Sequence, residues 1–125
     1  MINGAHLLLY SKDSEADRAF LRDVLQFRSV DAGRGWLIFR LPPAEIAVHP
    51  SSEDTVAPNA EDGVAGAALY LMCDDLSSTM KDLRAKKVKF SPVEEAQWGT
   101  VTTFRLPSGG SIGLYQPKHP TAMKL

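Results

Sequence analysis

The chain has 125 residues, a formal net charge of −1 and 44% hydrophobic residues, which is enough apolar material to bury a core. Lys and Arg are scattered apart from the run at 84–89. This balance argues against nucleic acid or an anionic membrane as a partner. The single cysteine, the lack of a signal-peptide pattern and the lack of a long apolar run predict a cytoplasmic protein.

The first half of the sequence predicts one strand, one helix and three further strands. The apolar run at 4–10 is typical of a strand, and the acidic segment after it predicts a helix capped by Ser14. Turn formers separate three short strand candidates, at 27–31, 36–40 and 45–49. The predicted order is therefore β-α-β-β-β.

The second half repeats this order after a polar segment at 51–65, which is predicted to be a linker or a lid. A strand is expected at 67–73, and Asp74 and Asp75 offer a cap for a helix that ends near Ala85. Leu76 and Met80 begin the apolar stripe of that helix. Three more strands are expected at 88–92, 100–105 and 111–115.

The tetrapeptide FRLP occurs once in each half, at 39–42 and at 104–107. In both places it is predicted to close the third strand of the half, because a proline cannot donate a ladder hydrogen bond. We therefore predict a single domain of two modules, at 1–50 and 66–117, joined by the linker at 51–65 and followed by a tail at 118–125.

The repeat resembles the vicinal oxygen chelate superfamily, which includes glyoxalase I, bleomycin-resistance proteins and extradiol dioxygenases. The resemblance rests on His6 in the first strand, on CDDLSSTMKDLRAKKVKF and on LPSGGSIGLYQP, and it covers nearly the whole chain. It implies an α+β fold in which two βαβββ modules form a cupped, mixed but mostly antiparallel sheet with helices on the outside. Members often form homodimers, and a homodimer is expected here.

Alternate residues of a strand face opposite sides of a sheet, which sorts the four strands expected around the site into two faces. The face predicted to be buried under the helices is aliphatic: Leu7, Leu9, Ile46, Val48, Leu69, Leu71, Ile112 and Leu114. The face predicted to line a ligand pocket is mixed: His6, Leu8, Tyr10, Glu45, Ala47, His49, Ala68, Tyr70, Met72, Ser111, Gly113 and Tyr115.

The resemblance implies a metal ligand on the first and fourth strands of each module. His6 occupies the first of these positions, but Ala47, Ala68 and Gly113 occupy the others and carry no donor atoms. No metal or other cofactor is therefore expected. The alternative is that His6, Glu45 and His49 together bind a divalent ion such as Zn, Ni, Mn or Fe.

The leading hypothesis is a small-molecule-binding protein without a metal, and the predicted ligand-binding residues are His6, Tyr10, Trp36, Arg40, Glu45, His49, Tyr70, Met72 and Tyr115. Aromatic residues suit a planar ligand, but they also fill ordinary cores. The alternative hypothesis is a metal-dependent lyase, isomerase or dioxygenase that uses His6 with Glu45 and His49. A third is an interaction module with a vestigial pocket.

Overall fold

The computed structural model describes residues 1–48, 50, 67–123 and 125. Within them it has two helices and six strands: α1 (Ser14–Asp23), β1 (Ser29–Asp31), β2 (Leu37–Phe39), β3 (Tyr70–Met72), α2 (Leu76–Arg84), β4 (Glu94–Ala96), β5 (Gly99–Arg105) and β6 (Ser111–Pro117). The predicted α+β class with mixed strand pairing is confirmed. The predictions for His49 and for the linker at 51–65 lie outside the described residues.

Helix α1 begins one residue earlier than the predicted cap implies. Ser14 is its first residue, and the cap is Asp13, whose carboxylate accepts a hydrogen bond from the N–H of Ala16 at 3.1 Å. Both residues are good caps, but only Asp13 has the non-helical backbone that a cap requires. Glu15 and Asp17 in the first turn complement the positive end of the helix dipole.

Strands β1 and β2 form an antiparallel hairpin, with Ser29 opposite Phe39 and Asp31 opposite Leu37. The Asp31 carboxylate closes the turn by accepting hydrogen bonds from the N–H groups of Gly33 and Gly35, at 2.7 and 3.2 Å. Gly35 has a φ of 83°, which favours glycine. The strands predicted at 27–31 and 36–40 are thus present in shorter form.

The predictions of the first and the last strand of the first half are wrong within the described residues, because residues 4–10 and 45–48 form no strand. Their aliphatic side chains are not buried either: Leu7 and Leu9 are 42% and 45% exposed, and Ile46 and Val48 are 93% and 94% exposed. A strand is stabilised by its ladder partner and by the packing of one face. Among the described residues, these two segments have neither.

The second half contains a four-stranded sheet in the order β3-β6-β5-β4. Strand β3 runs parallel to β6, with Tyr70 opposite Gly113, and β4 runs antiparallel to β5, with Glu94 opposite Val101. The segment predicted as a strand at 88–92 contributes only one bridge, between Phe90 and Phe104. Pro92 has no N–H to continue that pairing, and the ladder resumes at β4, which the sequence did not predict.

Helix α2 covers one face of this sheet. Asp75 caps it as predicted, and the N–H of Leu76 donates to Oε1 of Gln116 on β6 at 3.0 Å. Ile112 and Leu114 alternate with the same face as Gln116 and are only 2% and 3% exposed. The core therefore lies between α2 and β6, and the prediction of an aliphatic buried face is confirmed for Ile112 and Leu114.

The chain divides into two compact units. The first comprises Met1–Arg40 with Arg105–Gly110, and the second comprises Leu41–Phe104 with Ser111–Leu125. Within the first unit, the buried Asp17 carboxylate accepts hydrogen bonds from the N–H and hydroxyl of Ser108, at 3.0 and 2.6 Å. The turn after the second FRLP is thereby attached to α1.

Candidate ligand site

Three aromatic rings of the second unit form a cluster on the sheet face opposite α2. Tyr70 on β3 and Tyr115 on β6 meet edge to face with ring centroids 5.9 Å apart. Trp98, in the turn between β4 and β5, lies 5.2 Å from Tyr115 and 6.1 Å from Tyr70, also edge to face. Such perpendicular contacts are the favourable geometry for aromatic rings, so the three side chains support one another.

Two glycines make room for this cluster. A side chain at Gly113 would occupy the space of the Tyr70 ring, which lies directly over the backbone of β6. A Cβ atom at Gly99 would lie 2.9 Å from the Tyr115 ring and 2.7 Å from the carbonyl oxygen of Gln116. Both contacts are closer than a real Cβ tolerates, so these positions require glycine for space and not for an unusual φ.

The Tyr115 hydroxyl lies 3.1 Å from Nε2 of His119, and Nδ1 of His119 lies 2.7 Å from the carbonyl oxygen of Pro120. A carbonyl only accepts, so Nδ1 is the donor in its contact with Pro120, and in that tautomer of the imidazole Nε2 accepts from the tyrosine hydroxyl. Burial raises the pKa of Tyr115, and the negative charge of Glu45 and the neighbouring Tyr70 raise it further. The phenol is therefore a hydrogen-bond donor at neutral pH.

A cavity of about 340 Å³ adjoins the cluster on the β4–β5 side. Its lining consists of Tyr70, Ser91, Pro92, Glu94, Trp98, Val101, Thr102 and Thr103. Tyr70 is 45% exposed and Trp98 is 43% exposed, although both belong to the cluster. Two large aromatic surfaces thus remain exposed beside a concave surface whose other lining residues are mostly polar.

Three hydroxyl groups of the cavity lining form hydrogen bonds with one another. Oγ1 of Thr102 donates to the carbonyl oxygen of Ser91 at 2.7 Å, so the Ser91 hydroxyl must be the donor in its 3.3 Å contact with Thr102. Oγ of Ser91 also accepts from the N–H and the hydroxyl of Thr103, both at 2.9 Å. All three hydroxyl protons are therefore used within the protein.

The structure brings together some of the predicted site residues. Tyr70 and Tyr115 are in contact, Met72 is the ladder partner of Tyr115, and Glu45 is close enough to raise the pKa of Tyr115. Oε1 of Glu45 also accepts a hydrogen bond from the N–H of Ala122 at 3.0 Å.

The other predicted site residues belong to the first unit or lie outside the described residues. His6, Tyr10, Trp36 and Arg40 belong to the first unit, and His49 lies outside the described residues. Tyr10 is 80% exposed, and the Arg18 guanidinium lies 4.8 Å from the centroid of the Trp36 ring in a cation–π contact. The roles of these residues stay predictions.

Trp98, Glu94 and His119 were missed by sequence reasoning. Trp98 lies in a turn between two strands, where its neighbours in sequence are polar, and Glu94 lies in a strand that was not predicted. The sequence signal that could have identified Trp98 is a tryptophan followed by a glycine in a polar turn. Nothing in the sequence distinguishes His119 from any other residue of the tail.

The positions that the resemblance assigns to metal ligands in the second half do not fit a metal. Ala68 has no donor atom, and the Tyr70 ring fills the space that a ligand side chain at position 113 would need. Among the described residues, no group of three His, Cys, Asp or Glu side chains is placed to hold an ion.

None of the described helices has the length and apolar character that crossing a membrane requires.

A family model described as the glyoxalase/bleomycin resistance protein/dioxygenase superfamily matches residues 4–113. No curated protein sequence matches the chain significantly.

Solved structures share the fold. The antibiotic-binding protein TnmS3 from Streptomyces sp. CB03234 is 21% identical, with a TM-score of 0.61, over 94% of this chain and 100% of TnmS3. A member of the same superfamily from Sphaerobacter thermophilus is 24% identical, with a TM-score of 0.60, over 92% and 98% of the two chains. Lactoylglutathione lyase from Agrobacterium tumefaciens is 20% identical, with a TM-score of 0.57, over 86% and 88%.

Proposed function

Because the chain belongs to the glyoxalase/bleomycin resistance protein/dioxygenase superfamily, we propose that it is a small-molecule-binding protein that encloses an organic ligand and has no metal centre. The observation that carries this proposal is the cavity beside the aromatic cluster. Tyr70 and Trp98 keep nearly half of their surface exposed there. Burying those surfaces against a ligand is favourable, at roughly 25 cal/mol for each Å² of apolar area.

The similarity to TnmS3 supports a binding role, because that protein is described as antibiotic-binding and shares this fold. The fold alone does not decide function, since a lyase shares it as well. The distinction rests on the residues of the site. No contact among the described residues favours a metal-dependent lyase, isomerase or dioxygenase, and Gly113 with the ring of Tyr70 above it favours binding without a metal.

We also propose a cytoplasmic homodimer. Leu7, Leu8 and Leu9 in the first unit are 42%, 58% and 45% exposed, and Ile46 and Val48 in the second unit are exposed almost completely. Apolar segments without ladder partners are the surfaces that a second copy of a chain can cover. The single cysteine agrees with a reducing compartment.

The test is a screen of a small-molecule library by thermal shift, repeated on Tyr70→Ala and on the control Val30→Ala in the exposed hairpin. We expect compounds that raise the melting temperature of the wild type and of the control but not of Tyr70→Ala. In parallel, mass spectrometry of protein purified without chelators should find no stoichiometric metal. A bound metal that is lost in His6→Ala would refute the proposal and favour the metal-dependent enzyme.

A further inference from the structure

We propose that the cavity beside Tyr70 and Trp98 selects an organic cation with a planar apolar body. This inference rests on the proposed binding function and adds the chemical class of the ligand. It follows from three features of the lining: two aromatic walls, one carboxylate without a partner among the described residues, and a hydroxyl group that can only accept hydrogen bonds.

The aromatic walls favour a ligand that is both flat and positively charged. The ring planes of Tyr70 and Trp98 are 86° apart, so the two rings form the sides of a corner. A planar ligand that stacks on one ring meets the other at its edge. Aromatic faces attract cations, and tryptophan does so most strongly.

Glu94 supplies the charge. It lines the cavity from the edge strand β4, and no hydrogen bond or ion pair engages its carboxylate within the described part of the chain. The adjacent Glu95 points to the opposite face, where its carboxylate accepts from Lys118 at 2.7 Å and from Thr100 at 2.9 Å. Of two neighbouring carboxylates, one is neutralised within the protein and the one in the cavity is not.

The Thr103 hydroxyl completes the selection. Thr103 donates its hydroxyl proton to Ser91, so only the lone pairs of its oxygen remain for a ligand. Ser91 Oγ donates to Thr102 and already accepts two bonds from Thr103, and Thr102 is only 1% exposed, so neither hydroxyl is open to a ligand. The described residues of the lining include neither Lys nor Arg. The Thr103 hydroxyl and the Glu94 carboxylate therefore offer acceptors to a ligand, which suits a protonated amine or a ring cation and disfavours an anion.

The volume sets the size of the ligand. About 340 Å³ lies near the lower end of the range for small-molecule pockets, which begins at roughly 300 Å³. A ligand of about two fused rings matches this space. N-methylquinolinium, a permanent cation, is a suitable probe, and 2-methylquinoline and quinoline-2-carboxylate are its neutral and anionic counterparts.

The experiment measures the affinity of the three probes by isothermal titration calorimetry and follows the indole N–H resonance of Trp98 by NMR. We expect the cation to bind most tightly and to shift that resonance. Glu94→Gln should weaken binding of the cation by about fivefold and leave the neutral probe unchanged. Glu95→Gln is the matched control and should leave both unchanged.

Three results would overturn the inference. Equal affinity for the neutral probe, with no effect of Glu94→Gln, would refute charge selection; loss of binding in Tyr70→Ala would then leave the proposed binding function standing. If Glu94→Gln and Glu95→Gln weakened binding of the cation equally, the cation would be attracted to the negative surface in general and not to this site. Failure of all three probes at millimolar concentration would refute the ligand class, while the library screen decides the proposed function separately.

Discussion

The two halves of this chain carry the same sequence pattern but differ in how far the pattern becomes structure. In the second half, β3 and β6 pair in parallel, and α2 covers the buried Ile112 and Leu114. In the first half, α1 and a hairpin form, while residues 4–10 and 45–48 stay outside any sheet. A pattern of apolar residues thus shows that a segment is suited to a strand, but the strand forms only where the segment pairs with a neighbouring strand.

The difference has a local cause in the second half. The pairing of β3 with β6 places the Tyr70 ring over Gly113 and leaves Leu114 on the side of α2, so both faces of β6 are packed. The corresponding segments of the first half have neither a ladder partner nor a covered face among the described residues. Each of these segments therefore has both ladder hydrogen bonds and a buried face, or it has neither.

The same substitution in each half should give the largest contrast. Leu114→Ala removes a side chain that is 3% exposed and should lower the free energy of unfolding by about 2–5 kcal/mol. Leu8→Ala changes a side chain that is 58% exposed and should cost less than about 0.5 kcal/mol in the monomer. Urea denaturation at low protein concentration measures both. Equal losses would mean that residues 4–10 are buried in the folded monomer.

Removing the carboxylate that attaches the second FRLP turn to α1 should give an intermediate effect. Asp17→Asn should lower stability by about 1–3 kcal/mol at neutral pH, because the buried hydrogen bonds from Ser108 lose their charged acceptor. Asp23→Asn on the exposed side of the same helix is the control and should change little. Urea denaturation measures both variants.

The pH dependence checks the same contact. Burial acts to raise the pKa of Asp17, but the hydrogen bonds from Ser108 and Ser11 outweigh it and hold the pKa below its ordinary value. A lowered pKa contributes stability above the ordinary aspartate pKa, and that contribution is lost as the pH falls through the native value. Asp17→Asn should therefore lose less stability on acidification than the wild type. An unchanged acid profile would contradict this role.

The smallest expected effect concerns Tyr115. Because burial raises its pKa, we expect one tyrosine to ionise above the ordinary value of 10.0 in an ultraviolet absorbance titration. Tyr115→Phe should remove that late component, and Tyr10→Phe should leave it in place. The native state should also lose stability as the pH rises above 10.0, because the unfolded chain releases this proton more readily. A titration without a late component would show that Tyr115 is open to solvent.

Much of the fold was predictable where the signal is local. The Asp75 cap, the helix that ends before Ala85 and the strand ends at both FRLP copies depend on neighbouring residues, and the structure confirms them. Strand β4 was missed because Pro92 interrupts the pairing that begins at Phe90, and the point of resumption depends on β5. The alternation of side chains along a strand placed Tyr70 and Tyr115 on the pocket face. Trp98 lies in a turn, where no such alternation applies.

The sequence by itself determined the α+β class, the position of helix α2 after a strand and the alternation that separates Ile112 and Leu114 from Tyr70 and Tyr115, because periodicity and capping act between near neighbours. Only the tertiary structure decided which strands pair, that the Tyr70 ring fills the space above Gly113, and that Glu95 binds Lys118 while Glu94 has no partner among the described residues. Those outcomes depend on contacts between residues far apart in the chain, whose distances no local pattern specifies.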